Sequence, residues 1–488
     1  MSRKLALHIS NYSIGNLLVT ISGLVSFPIF TRVFTVDEYG VMNLIATTLA
    51  LLLAISKLGI QHSIVRFYGE SKSKAGGAGV SEYLSTTLFG MMAIALAVTL
   101  AWAAVSQLIP TSWWSDPRIS DLFLLTSALL FIRNIDSCLV NFLRAEERSG
   151  QLNIYNVIKR YGMLALVLCT LFFVARDLYG YFWATVIGEA IGTALLFALM
   201  IRTHRFSIYE FSPALFRKML IFGIPMIAYE LSGIILNIGD RYVIEAKLGA
   251  GPLGVYSAAY NFCQYVQAVF LVAVGQAVVP MYIRSWEEKG AAETARFVRQ
   301  TMHYYLMLAF PLVAGVSAVG REMLVVLASE KYADGAAIIP YVSSGMAADA
   351  ALAIIGAALY IHKRTIIMAG LMTVCAVLNV ALNLWLVPIL GITGAAVATL
   401  IAFVALMSGA HCAGNRLIPI SFPWASAAKF GLLSVIMYVV IVSISVANNW
   451  ALIAIRIVIG IILYSALVLA FDEPTRKTVR AALIGIAA

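Results

Sequence analysis

The sequence predicts an all-α integral membrane protein of about 14 transmembrane helices: two six-helix lobes related by a parallel repeat, plus two extra C-terminal helices. Three observations carry this reading. First, the 488-residue chain is 61% hydrophobic and only 12% charged, against roughly 45–50% apolar and 25% charged in soluble domains. A soluble fold this apolar would expose patches that monomers avoid. This excludes a soluble enzyme, a nucleic-acid-binding domain and a disordered regulator. Second, the apolar stretches run unbroken for about 20 residues, which suits helices and not the alternating strands of a β-barrel. Third, the basic residues sort into alternate loops.

In chain order, the spans are expected at about 9–33, 40–64, 83–109, 119–143, 152–175, 179–201, 215–245, 253–283, 299–320, 336–361, 365–387, 392–413, 425–447 and 451–471. With the N-terminus in the cytoplasm, about 22 loop Lys and Arg residues fall inside and about 6 outside. That bias places both termini in the cytoplasm and explains the net charge of +10 without any nucleic acid. The five cysteines all lie in apolar stretches without C-x-x-C spacing, and are expected as small core residues.

An internal repeat divides the chain. Gly40-Val41 and Gly254-Val255 each enter an even-numbered helix after an outer turn, at an offset of 214. Gly180 and Gly394, followed by Ala184-Thr185 and Ala398-Thr399, show the same offset. Arg148 and Arg364, each just before an odd helix, are offset by 216. The repeat unit is therefore six helices. Because six is even, both units enter from the same side and are related by an axis along the membrane normal. The expected organisation is an N-lobe at 1–202, a C-lobe at 203–416, and two further helices with a cytoplasmic tail at 417–488.

The run IFTRVFTVDEYG from Ile29 to Gly40 resembles the first-helix signature of polysaccharide flippases. So do Asp240-Arg241, Leu248-Gly249 and Gly254-Val255-Tyr256-Ser257 in the second half. The resemblance is to Wzx-type polysaccharide and O-antigen exporters of the multidrug/oligosaccharidyl-lipid/polysaccharide (MOP) superfamily. It covers nearly the whole chain. It implies a flippase of the bacterial inner membrane that carries undecaprenyl-diphosphate-linked oligosaccharide repeat units from the cytoplasmic to the outer leaflet by alternating access. Its partners would be membrane lipids and a polysaccharide polymerase or export machinery. Peptidoglycan-precursor (lipid II-type) flippases and MATE drug exporters share the implied fold and are the near alternatives.

An ionisable side chain at bilayer depth costs about 2.5–3.5 kcal/mol or more, so each needs a physical reason. The set is Lys57, Arg133, Asp136, Lys159, Arg160, Glu189, Glu230, Asp240, Arg241, Asp349 and Arg456. A lipid diphosphate needs cations to cross a low-dielectric region, and Arg and Lys supply them. The candidates for that role are Arg241, Lys57, Arg133, Lys159 and Arg160. Arg133 and Asp136, at i and i+3, are spaced to pair on one helix face. Arg456, at the shallow outer start of the last span, is expected among lipid headgroups. Glu230, Asp240, Asp349 and Glu189 are candidates for H+ or Na+ coupling, with no other cofactor expected. Glu230 stands out because it follows Pro225, which is able to break its helix.

Tyr256, Tyr260, Gln264 and Gln267 share one helical face, flanked by Asn261. Rings and amides in this pattern suit sugar contact, and equally suit hydrogen bonding between helices. Catalytic motifs are missing: no H-E-x-x-H, P-loop or G-x-S-x-G occurs. A membrane-embedded polysaccharide polymerase or ligase is the enzyme alternative. It would be expected to carry a larger outer loop than the 12–16 residues found in this chain.

Overall fold

A computed structural model describes residues 3–72, 78–270 and 272–477. All regular structure among them is helical. The chain divides into two compact units, Met1–Gly254 and Val255–Ala488.

The first unit contains α1 (Arg3–Val33), α2 (Val36–Ser56), α3 (Ile60–Lys72), α4 (Ala78–Leu108), α5 (Arg118–Ala145), α6 (Ser149–Phe173) and α7 (Leu178–Thr203). It continues with α8 (Pro213–Ile238), α9 (Asp240–Leu248) and the first turn of α10 (Ala250–Phe270). Helix α5 is central, lying against α2, α3, α4 and α7, while α6 bridges α1 and α7. The core of this unit is built from Ile60, Tyr83, Leu88, Phe142, Leu196 and Met219.

The second unit contains α11 (Val272–Leu327), α12 (Ile339–Ile355), α13 (Ala357–Ile361), α14 (Thr365–Leu390), α15 (Ile392–Asn415), α16 (Trp424–Val442) and α17 (Asn449–Phe471). Helix α11 packs on α12, α16 and α17, and α15 packs on α12 and α14. Tyr282, Met302, Tyr305, Ile354, Phe430 and Met437 form its core.

Among the described residues, 12 helical segments are long and apolar enough to cross a membrane. They correspond to the expected spans other than the first and eighth. The described apolar part of the first is shorter, Leu18–Val33. The eighth, α10, carries Asn261, Gln264 and Gln267, which lower its apolarity. The chain is a multi-pass membrane protein.

Several boundaries differ from the sequence-based expectation. The second span is not one helix to residue 64. It stops at Ser56, and Leu58 (φ 45°) and Gly59 (φ 67°) turn the chain into α3. The stretch between residues 283 and 299 is not an open loop: two helices, both within the range given for α11, meet there and are joined at the non-helical Gly290 (φ 78°). Pro225 does not break its helix, because α8 continues through it. Of the cysteines expected in the core, Cys169 and Cys412 are exposed on the protein surface.

Two turns 216 residues apart share a backbone form. Glu147 (φ 61°) and Lys363 (φ 55°) occupy the left-handed region in matching turns. In each turn the next amide reaches back five residues, Arg148 to the Leu143 carbonyl at 2.9 Å and Arg364 to the Leu359 carbonyl at 2.8 Å. The motif around Gly40 has an equally local cause. Thr35 caps α2 in a reciprocal box with Glu38, at 3.1 and 3.2 Å, satisfying two amides of the first turn. Phe34 and Tyr39 are buried beside it.

Candidate functional site

Two groups of different character stand out among the deep charges of the first unit. The first is closed. Arg133 on α5 donates to Glu189 on α7 at 3.1 Å. Lys159 on α6 bridges Glu189 at 2.8 Å and Asp136 at 2.9 Å. Tyr155 donates to the Asp136 carboxylate, and Thr193 lies 3.4 Å from it. Two cations thus face two carboxylates and neutralise one another across α5, α6 and α7. The i, i+3 pairing expected of Arg133 and Asp136 does not form: each takes a partner on a neighbouring helix. Gly192 makes room for this, since a Cβ there would meet the Lys159 stem at 3.0 Å.

The second group is open. Lys57, Gln61, His62, Ser137, Val140, Asn141 and Arg144 line a cavity of about 410 Å³ within the first unit. The turn after α2 creates it, placing Lys57 at the end of one helix and Gln61 and His62 in the first turn of the next. That turn sits directly on α8, where a Cβ on Gly59 would stand 2.0 Å from the Gly223 carbonyl oxygen. Glu230 of α8 accepts from Gln61 and lies 3.8 Å from His62 Nε2. Arg144 donates to Asn141 Oδ1 at 3.0 Å. Among the described residues, neither Lys57 nor Arg144 has a carboxylate within 4.0 Å. The cavity therefore presents two cations outside any ion pair, Lys57 within electrostatic reach of Glu230 and Asp136, with amide and hydroxyl groups beside them, a set suited to phosphoryl oxygens.

Arg144 is the residue that sequence reasoning missed, because its place near a helix end made it a topology signal. A signal was present. Ser137, Val140, Asn141 and Arg144 stand at i, i+3, i+4 and i+7, one continuous helical face.

The remaining expected site residues lie elsewhere. Arg241 is buried in α9 and donates to Thr47 Oγ1 on α2 at 3.1 Å. Asp240 is also buried. Arg160 donates from Nε to Ser22 Oγ at 2.7 Å, tying α6 to α1. In α10, Tyr256 and Tyr260 are fully buried with ring centroids 5.7 Å apart, so in this conformation they offer no surface to a sugar. Gln267 donates to the Met346 carbonyl at 3.2 Å, an interhelical bond. Asn261, Gln264 and, on α12, Asp349 are half-buried. Arg456 is not a headgroup contact. It is buried, donates to the Ala318, Val442 and Ile444 carbonyls, and pairs with Glu322 at 3.1 Å.

Residues 7–286, more than half of the chain, match the family described as polysaccharide biosynthesis protein. No curated protein matches. Among solved structures, a lipid II flippase MurJ in an inward closed conformation aligns with TM-score 0.79 at 17% identity, covering 95% of this chain and 99% of that one. An inward-facing multidrug resistance MATE family transporter of the MOP superfamily aligns with TM-score 0.66 at 15% identity, covering 84% and 98%. A MOP superfamily transporter from Pyrococcus furiosus, whose binding pocket is described as having reverse polarity, aligns with TM-score 0.54 at 14% identity, covering 85% and 94%. These likenesses establish a fold shared with MOP-superfamily transporters.

Proposed function

The chain belongs to the polysaccharide biosynthesis protein family, and on that premise we propose that it is a flippase for undecaprenyl-diphosphate-linked oligosaccharide units. Lys57 and Arg144 engage the diphosphate. One observation carries the reading: the two cations lining this cavity stand outside any ion pair, while Arg133 and Lys159 are neutralised in place. Lys57 is half-buried and Arg144 exposed, so both are free to meet an anion entering the cavity, and a diphosphate is such an anion. His62, Gln61, Asn141 and Ser137 add hydrogen-bonding capacity at the rim. A drug-cation exporter would need the opposite balance, with free carboxylates in the cavity.

Transport proceeds by alternating access of the repeated halves, with the polyprenyl tail remaining in lipid. Glu189 is held by two cations, which leaves Glu230, Asp240 and Asp349 as the carboxylates for H+ or Na+ coupling. Glu230 is the one joined to the cavity, through Gln61 and His62. The cavity is lined by the last two turns of α5, through Ser137, Val140, Asn141 and Arg144, an end that the basic-residue bias assigns to the cytoplasmic side.

The test is complementation of a deletion strain. Arg144→Gln and Lys57→Gln together should abolish surface polysaccharide and leave lipid-linked units on the cytoplasmic leaflet, while Lys57→Arg should retain export. Full export by the double variant overturns the assignment. Rescue of a strain depleted of its lipid II flippase would instead favour the peptidoglycan precursor as substrate. A change in drug susceptibility with normal polysaccharide would favour drug export.

A further inference from the structure

Helices α6 and α7 line a second, larger cavity of about 780 Å³ that lies wholly within the first unit. Its walls are apolar. Ile154, Ile158, Leu195 and Leu199 face it and are each more than half exposed on the protein surface. Gly162, Gly188 and Gly192 leave its floor low. The apolar wall from Ile154 to Leu166 covers 12 helical steps, about 18 Å at 1.5 Å per residue. That is close to one leaflet of a hydrocarbon core about 30 Å thick.

Apart from Tyr155 and Lys159, whose polar ends are engaged in the closed charge cluster, the polar groups of this groove lie at one end. Arg148 and Gln151, at the start of α6, meet Arg202 and Thr203, at the close of α7. Arg148 is held by Glu146 at 3.0 Å, and Glu146 is also bound by His204 at 2.6 Å. Arg202 has no carboxylate within 4.0 Å among the described residues. An apolar channel one leaflet long, closed at the interface by arginines of which one is uncompensated, matches an acyl chain joined to an anionic headgroup.

We propose that the α6/α7 groove is a binding site for an anionic phospholipid, separate from the Lys57–Arg144 cavity. The phosphate sits between Arg202 and Arg148, and one acyl chain lies along Ile158 and Leu195. The groove floor includes Tyr155 and the stem of Lys159, both members of the closed charge cluster. An occupied groove therefore braces Lys159 against Asp136 and Glu189, and the lipid stabilises the first unit.

The test uses the full-length protein in detergent, with the melting temperature read on adding phosphatidylglycerol or phosphatidylcholine, and bound lipid counted by native mass spectrometry. Phosphatidylglycerol should raise the melting temperature and be retained, while phosphatidylcholine should do neither. Arg202→Ala should weaken retention about five-fold, the contribution of one interfacial cation. Leu195→Trp, which fills the groove from a lipid-exposed position, should abolish the shift without lowering the starting melting temperature. Equal shifts with both lipids, or a shift unchanged in both variants, overturn the proposal. An equal shift with inorganic phosphate alone would show an anion site without a lipid groove and overturn it too. Lys57→Gln should leave lipid retention intact, so failure here and failure of the transport reading are told apart.

Discussion

Gly40 and Gly254 lie against each other's helix backbone: a Cβ on Gly40 would stand 2.0 Å from the Ala250 carbonyl oxygen, and one on Gly254 would stand 2.0 Å from that of Val36. Val36 and Ala250 carry the same 214-residue offset as the two glycines. The starts of α2 and α10 therefore meet at a point of local two-fold symmetry where only hydrogen fits. Gly40→Ala and Gly254→Ala should each destabilise the protein by about 1–3 kcal/mol or more, read as a lowered melting temperature in detergent. Gly150→Ala, where a Cβ would meet nothing within 4 Å, is the control and should cause no loss.

Lys159 holds two carboxylates at once, so Lys159→Met should cost about 3–5 kcal/mol by stranding buried charge. Adding Asp136→Asn should recover part of that loss, because Arg133 still pairs with Glu189. Denaturant unfolding in mixed micelles measures both. Equal stability of the single and double variants would show that the cluster is not coupled.

Lys57→Gln and Arg144→Gln should leave the melting temperature nearly unchanged, since neither residue forms an ion pair in this conformation. Arg241→Ala should lower it, because Arg241 is buried against Thr47. A transport defect in Arg241→Ala therefore needs a folding control, whereas one in Lys57→Gln does not.

Asp472, just beyond α17, is fully buried between Lys429 at 2.8 Å, the Thr475 amide at 3.1 Å and His303 at 3.3 Å. Burial alone would push its carboxyl up, but these partners hold it down to about 2. A carboxyl depressed on folding contributes stability above its ordinary value near 4, and that stability is lost as pH falls toward 2. The melting temperature should therefore drop between about pH 4 and pH 2. Asp472→Asn should be less stable at neutral pH and show a flatter acid limb. An unchanged limb in that variant would remove Asp472 as its source.

Arg456 binds the Val442 carbonyl at the end of α16 and the Ile444 carbonyl just beyond it, and pairs with Glu322 on α11. Arg456→Ala should fray the C-terminal turn of α16 while sparing its start, seen as faster amide exchange at residues 440–444. Uniform exchange across α16 would refute the capping role.

The membrane class and most spans were legible in the chain because each depends on local chemistry that recurs along it. Apolar runs, flanking cations and turn glycines need no knowledge of neighbours. The Gly40 and Gly254 correspondence survived into the structure because a backbone crossing demands the same residue on both sides. The breaks were harder. The stop at Ser56 depends on Leu58 adopting φ 45°, a conformation imposed by the close approach of Gly59 to Gly223 on a helix more than 160 residues away.

The set of intramembrane charges was likewise plain from the sequence, but their roles were not. Spacing on one helix suggested that Arg133 would pair with Asp136, yet partners on α6 and α7 lie closer to the charged ends. Tyr256 and Tyr260 share a face as expected, and that face is interior. By itself the sequence determined a polytopic, helical membrane protein with costly charges at depth, since hydropathy and basic-residue sorting act residue by residue. Only the tertiary structure decided which of those charges are neutralised and which, at Lys57 and Arg144, stand open, because compensation depends on distances of a few ångströms between helices far apart in the chain.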